Sequence, residues 1–171
     1  MDLSRFKYDE TSHSCLTRDG LPVGYLNGSG YYNFKIGKRK KFLVHRIIWQ
    51  IVKGPIPENL QIDHIDRNKT NNKISNLRLA TKNQNMLNRI NPNTNGLIGV
   101  KIHKRDELFE ARVVINGKQR TVGTFRSKYD AALHRDLVAW DHYGEFGVYN
   151  YPEFVKNYKK IKIENSENLE K

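Results

Sequence analysis

Between residues 60 and 88, two short apolar alternations are separated by a run with no apolar residue in it, Asp66-Arg67-Asn68-Lys69-Thr70-Asn71-Asn72-Lys73. Such a run has nothing to bury and is rich in turn formers, which predicts an exposed loop. Before it, Leu60, Ile62 and Ile65 supply an apolar face for a strand through Gln61-Ile62-Asp63-His64. After it, Leu77-Arg78-Leu79-Ala80 alternates as a second strand. Thr81 with Gln84 three residues on is a capping-box pair, so a short helix carrying Asn85 and Asn88 starts there. The order is strand, long loop, strand, helix. Neighbours on a strand point to opposite sides, so Asp63 and His64 cannot both be ordinary core residues.

An acid, an imidazole and several carboxamides at element ends make the chemistry of a metal-assisted hydrolase. Phosphodiester hydrolysis needs a nucleophilic water, a base of near-neutral pKa and a cation at the phosphate. One His and an oxygen-ligated divalent ion supply these with few residues. An isolated Asp-His pair is far more often a satisfied surface turn, so the weight rests on the whole set in order.

Asp63-His64, Asn76-Leu77-Arg78 and Asn85-x-x-Asn88 together resemble the HNH nuclease family, the ββα-metal fold, and within it the phage and intron-encoded HNH homing endonucleases. The resemblance implies that His64 is the general base, that Asp63 and Asn85 hold the metal on the scissile phosphate, and that Asn76 fixes the loop that orients His64. The third signature position is often His. Asn85 is a weaker ligand but hard enough for one Mg²⁺, with Mn²⁺ as a substitute, and no structural zinc is expected.

The formal charge of +12 points to a polyanion as partner, here double-stranded DNA. The charge is uneven: residues 1–92 hold 16 Lys and Arg against 7 Asp and Glu, residues 93–152 hold 9 against 7, and residues 153–171 hold 5 against 4. Cys15 is alone, so neither a disulfide framework nor a multi-cysteine zinc knuckle is expected. The first residues lack a signal-peptide layout and no apolar run approaches about 20 residues, so a soluble, cytoplasmic protein without membrane contact is expected. Nothing in the residues implies an obligate protein partner.

Residues 1–30 alternate weakly, with turn signals at Asp19-Gly20 and Asn27-Gly28-Ser29-Gly30, and read as short strands. Tyr32, Phe34 and Ile36 then alternate, and Phe42-Leu43-Val44 returns after a turn at Gly37-Lys38. The tip of this hairpin carries Lys35, Lys38, Arg39, Lys40 and Lys41, either as a solvated turn or as a grip on backbone phosphates. Val44, Ile47, Ile48 and Ile51 have helical spacing up to Gly54-Pro55-Ile56-Pro57. His45-Arg46 matches the His-Arg preceding the catalytic segment in the resembling homing endonucleases. Arg46 and Arg78 are candidates for DNA contact, and a structural role for His45 or Arg46 is as well supported.

Asn91-Pro92-Asn93-Thr94-Asn95-Gly96 lacks periodicity and reads as a linker between an HNH nuclease domain at 1–92 and a second domain at 93–152. There, three strand candidates, with Asn116-Gly117 as the turn between the last two, precede a helix capped by Ser127. That helix carries Ala131, Ala132, Leu133, Leu137 and Val138 and ends by Gly144. The expected fold is therefore α+β, a ββα-metal domain followed by a small three-stranded antiparallel sheet packed on one helix. The second half resembles the Apetala-two DNA-binding domain through Gly99-Val100, Phe109 with Ala111, Gly123-Thr124-Phe125, Ala131-Ala132, Tyr143-Gly144 and Tyr149-Asn150-Tyr151-Pro152. In that family the sheet enters the major groove, which by position makes Lys101, His103, Arg105, Arg112, Lys118 and Arg120 the DNA-binding candidates. Residues 153–171 are expected to be a polar tail, frayed or partly helical. The competing readings are a non-catalytic DNA-binding regulator descended from a nuclease and, more weakly, an RNA-processing nuclease.

Overall fold

The computed structural model describes residues 2–37, 39–89, 96–103, 105–158 and 160. Lys38, Ile90, positions 91–95 of the expected linker and residues 161–171 lie outside the described residues. The chain divides into two compact units, Met1–Met86 and Leu87–Lys171, a break somewhat before the boundary expected between 92 and 93.

The first unit begins with β1 (Phe6–Tyr8), β2 (Leu16–Arg18), β3 (Leu21–Pro22), β4 (Tyr25–Leu26), β5 (Tyr32–Ile36) and β6 (Lys40–Leu43). After them come α1 (Val44–Val52), β7 (Gln61–His64), β8 (Leu77–Ala80) and α2 (Lys82–Leu87). The strands form small antiparallel sheets ordered β1-β2-β3, β4-β5-β6 and β7-β8. The return strand stops one residue short of expectation, because Val44 already belongs to α1. Val44, Ile47 and Ile48 form an i, i+3, i+4 row on that helix and pack with Phe6, Leu16, Phe34, Ile62 and Leu77. Each fully buried aliphatic side chain of this kind contributes about 1.5–3 kcal/mol, so α1 is the element against which the small sheets are assembled. It ends where Lys53 N donates to Trp49 O, just before Gly54-Pro55.

The run 66–73 departs from expectation. Its Asn72 has no exposed surface, because packing closes over that one carboxamide while its neighbours stay wet or partly so.

The second unit holds β9 (Val100–His103), β10 (Leu108–Ile115) and β11 (Lys118–Phe125) in the order β11-β10-β9, followed by α3 (Lys128–Tyr143). Asn116 and Gly117 both have positive φ, 50° and 74°, the conformation a two-residue hairpin turn needs. The Ser127 side chain caps α3 by accepting from Tyr129 N and Asp130 N. The buried face of α3 differs from expectation. It carries Ala131, Ala132 and Ala139 with the charged pair Arg135 and Asp136, whereas Leu133, Leu137 and Val138 are half-buried. Buried charge is costly unless it is paired and hydrogen-bonded, and residues 148–151 supply most of the partners, while Arg135 Nε is buried without a hydrogen-bond partner among the described residues. Asp136 accepts from Arg135 Nη1 (2.9 Å), Asn150 Nδ2 (3.0 Å) and Tyr151 N (2.8 Å), and Arg135 Nη1 also donates to Val148 O (2.7 Å). A Cβ at Gly99, where φ is +69°, would sit 2.5 Å from Arg112 O and 2.8 Å from Arg135 Nε, so only glycine fits there. Residues 152–158 are helical and bury Val155 completely, so the expected tail is packed where it is described. Among the described residues no helix is long and apolar enough to cross a membrane.

Candidate active site

β7 and β8 pair in the register Gln61↔Ala80, Ile62↔Leu79, Asp63↔Arg78 and His64↔Leu77. The connection between them is held by side chains rather than by a ladder. Asp66 Oδ1 accepts from Asn68 N (2.8 Å), and Asn68 Oδ1 accepts from Thr70 N (3.1 Å), two successive Asx turns. Asn76 closes the loop. Its Oδ1 accepts from Asp66 N (3.0 Å), and its Nδ2 donates to Asp66 Oδ1 and Asn71 O, both at 2.8 Å. Burial works against ionisation of Asp66, but the donors Asn71, Asn68 and Asn76 hold its carboxyl below the usual range.

His64, 5% exposed, has Nε2 3.1 Å from Asn72 Oδ1. Asn72 Nδ2 donates to Ser14 O at 3.2 Å. A carbonyl only accepts, so the amide end of Asn72 faces Ser14 and its oxygen faces His64. In the neutral ring the proton therefore sits on Nε2 and the basic lone pair on Nδ1. Burial lowers the His64 pKa, with the Asn72 hydrogen bond and then Asp66 and Asp63 resisting. The ring is consequently neutral near pH 7, the state a general base requires.

A second imidazole lies against it. His45, in the first turn of α1, meets the His64 ring edge-on at 5.0 Å between centroids, and Tyr31 lies 5.4 Å from His45 and 6.0 Å from His64. Burial, then His64 and Arg46, push the His45 pKa down from 6.5 to about 3. A folded pKa below the unfolded one means that the neutral ring is what folding favours. Its contribution is complete above pH 6.5 and is lost as pH falls toward 3. About 2 kcal/mol of stability should disappear by pH 5, at about 1.4 kcal/mol per pH unit below the unfolded pKa. Thermal melts at a series of pH values should show a shallower acid loss in His45→Phe than in the parent; parallel curves would remove His45 from the acid sensitivity.

Asp63 Oδ2 accepts from Arg78 Nε and Nη2, each at 2.9 Å, and both side chains are largely buried. Arg78, expected to contact DNA, is thus engaged by the strand opposite. Thr81 and Gln84 make the reciprocal capping box, Thr81 N to Gln84 Oε1 at 2.8 Å and Gln84 N to Thr81 Oγ1 at 3.2 Å. This sets α2 so that Asn85 Nδ2 donates to Gln61 Oε1 at 2.8 Å. Gln61 and Asp63 are two apart on β7 and share a face, so Asn85 comes to the Asp63 side while His64 points to the other. A carboxylate and a carboxamide oxygen are hard donors that fit Mg²⁺ or Mn²⁺ better than zinc. Among the described residues no cluster of three or more His, Cys, Asp or Glu is present.

Of the other expected contacts, Arg39, Lys40 and Arg46 are exposed, and Lys38 lies outside the described residues. In the second unit the register pairs Lys101 with Glu110, His103 with Leu108 and Arg112 with Thr121, which places Lys101, His103 and Arg112 on one face of the sheet. Arg120 lies opposite buried Val113, and Lys118 opposite Ile115, so these two fall on the other face, near the hairpin end. Arg105 is exposed in the β9–β10 connection. Glu110 accepts from Arg112 Nε at 2.6 Å and pairs with His103, and the Arg112 hydrogen bond leads in lowering its pKa.

A family profile described as HNH endonuclease matches residues 42–87, the stretch from the end of β6 through α2. An uncharacterised HNH endonuclease of Acanthamoeba polyphaga mimivirus is 36% identical over 133 residues, covering 76% of this chain and 67% of that protein. The chain belongs to the HNH endonuclease family. Protein 3.8 of Escherichia phage T7 is 41% identical over 101 residues, 56% of this chain and 75% of its own length. A prophage-derived protein of Bacillus subtilis strain 168, named as an HNH homing endonuclease, is 38% identical over 66 residues, covering 39% of this chain and 37% of its own. No solved structure matches. Within this HNH chain, Asn72 and the ring contact of His45 are what residue-by-residue reading missed. Asn72 looks like its polar neighbours, and no local signal marks it for burial.

Proposed function

We propose that the chain is a divalent-metal-dependent DNA endonuclease of the phage- or intron-associated homing kind. His64 takes a proton from the attacking water through Nδ1. Asp63 and Asn85 hold the ion, and Asn76 braces the loop behind the base. The observation that carries this reading is the buried, neutral His64, its Nε2 turned to Asn72, on the same strand as Asp63 and inside the segment that matches the family. A bound Mg²⁺ or Mn²⁺ supplies charge stabilisation at the scissile phosphate. Arg78 aims the Asp63 carboxylate through its two hydrogen bonds, and reaches DNA only by exchanging that carboxylate for phosphate. The second unit serves as an Apetala-two-like reader of the duplex, with Lys101, His103 and Arg112 on its groove face. Support for this comes from the three-stranded antiparallel sheet backed by one helix. Arg39, Lys40 and Arg46 add phosphate contacts.

Supercoiled plasmid with Mg²⁺ or Mn²⁺ should pass to the open-circular form, because one His64 site engages one phosphodiester at a time, and EDTA should stop the reaction. Asp63→Asn should lower activity by at least the ~10–100-fold that loss of even an outer metal partner costs, and should raise the metal concentration required. Duplex binding without any cleavage, in the parent and at every metal concentration, would favour the non-catalytic regulator instead.

A further inference from the structure

We infer that Lys69 forms a backbone-phosphate site beside His64, a cation held by neutral groups and aimed at the strand being cut. The inference deepens the endonuclease reading and rests on it for the word "cut", though not for the phosphate contact. Lys69 is exposed in the 66–73 loop, yet its ammonium is placed. Nζ donates to Ser29 O at 3.1 Å, a carbonyl forty residues earlier in the chain, and lies 4.7 Å from the centre of the Tyr31 ring. Tyr31 in turn lies 6.0 Å from the His64 ring. These two separations keep Nζ within about 11 Å of the imidazole. Phosphates advance about 3.4 Å along the axis per residue of one strand, so that reach covers the scissile phosphate and its nearest neighbours.

The holding groups are a carbonyl and an aromatic face, and neither neutralises the charge. Among the described residues no carboxylate forms an ion pair with Lys69, whereas Lys73 on the same loop has Glu10 within 3.8 Å. An ammonium has three donors, and Ser29 uses one. The remaining capacity suits non-bridging phosphate oxygens, the one anion that a chain of net charge +12 meets repeatedly along a duplex. Ordering a lysine side chain in advance also lowers the entropic cost of binding.

The test uses the full chain in two assays. In metal-free buffer with EDTA, fluorescence anisotropy with a labelled duplex between about 50 and 200 mM NaCl gives the slope of log K against log salt. Lys69→Gln should reduce the magnitude of that slope by about 0.9, one phosphate contact, and weaken binding by the same factor on unrelated sequences. Lys69→Arg should restore both. In the second assay, duplexes with single neutral methylphosphonates placed around the mapped cut should bind the parent less tightly at one or two positions close to it. In Lys69→Gln those same positions should have no further effect. An unchanged slope in Lys69→Gln, or a sensitive phosphate far from the cut, overturns the inference. A reduced slope in Lys69→Gln, with a parent that never cleaves, keeps the phosphate contact and removes the nuclease reading, so the two failures are told apart.

Discussion

His64→Ala is expected to lower plasmid cleavage by about 10²–10⁴-fold while duplex affinity stays nearly unchanged. In the proposed mechanism this ring contributes proton transfer, and its burial keeps it from being a surface contact for phosphate: it is 5% exposed and its Nε2 faces Asn72. Initial nicking rates at saturating protein, with anisotropy on the same preparation, measure both quantities. Parental turnover in the mutant would exclude His64 as the base, and a large loss of affinity would make it a binding residue instead.

Asn72→Ala is expected to lower kcat by about 10²-fold with KM little changed, the cost of about 1 Å of misplacement in a catalytic group. In the proposed mechanism Asn72 acts as a positioning residue. It gives Nε2 its acceptor at 3.1 Å and is itself held by Ser14 O at 3.2 Å. Removing it frees the ring to rotate and strands a buried donor and a buried carbonyl, worth about 1–3 kcal/mol of stability each. Stability alone does not separate this role from ordinary packing, whereas the kcat-against-KM split does. A mutant with lower thermal stability but parental kcat, assayed well below its melting temperature, would make Asn72 structural only.

Much of this protein is readable locally because the interactions concerned span two to four residues. Thr81 and Gln84 form their capping box, Ser127 caps α3, and Asn116-Gly117 turns the β10–β11 hairpin, each as residue identity predicts. The apolar row of α1 and the strand, loop, strand, helix order around Asp63 and His64 belong to the same class. Periodicity and turn chemistry act along the chain, so they survive without knowledge of the fold.

Other features depend on which distant group happens to face a side chain. Asn72 and Ser14 are 58 residues apart, and nothing near Asn72 announces that a carbonyl will cover it. The contact of His45 with His64 requires α1 to lie against β7, and the exposed-looking α3 positions Arg135 and Asp136 are buried because residues 148–151 return to bond them. Register split the basic candidates of the second unit, since a residue's face is set by its cross-strand partner, which sent Lys118 and Arg120 to the side opposite Arg112. By itself the sequence determined the elements, the family resemblance and the candidate base with its neighbouring acid. Only the tertiary structure decided which polar groups are buried together, and so which nitrogen of His64 carries the proton, because the energy of burying a polar atom is set by partners from elsewhere in the chain.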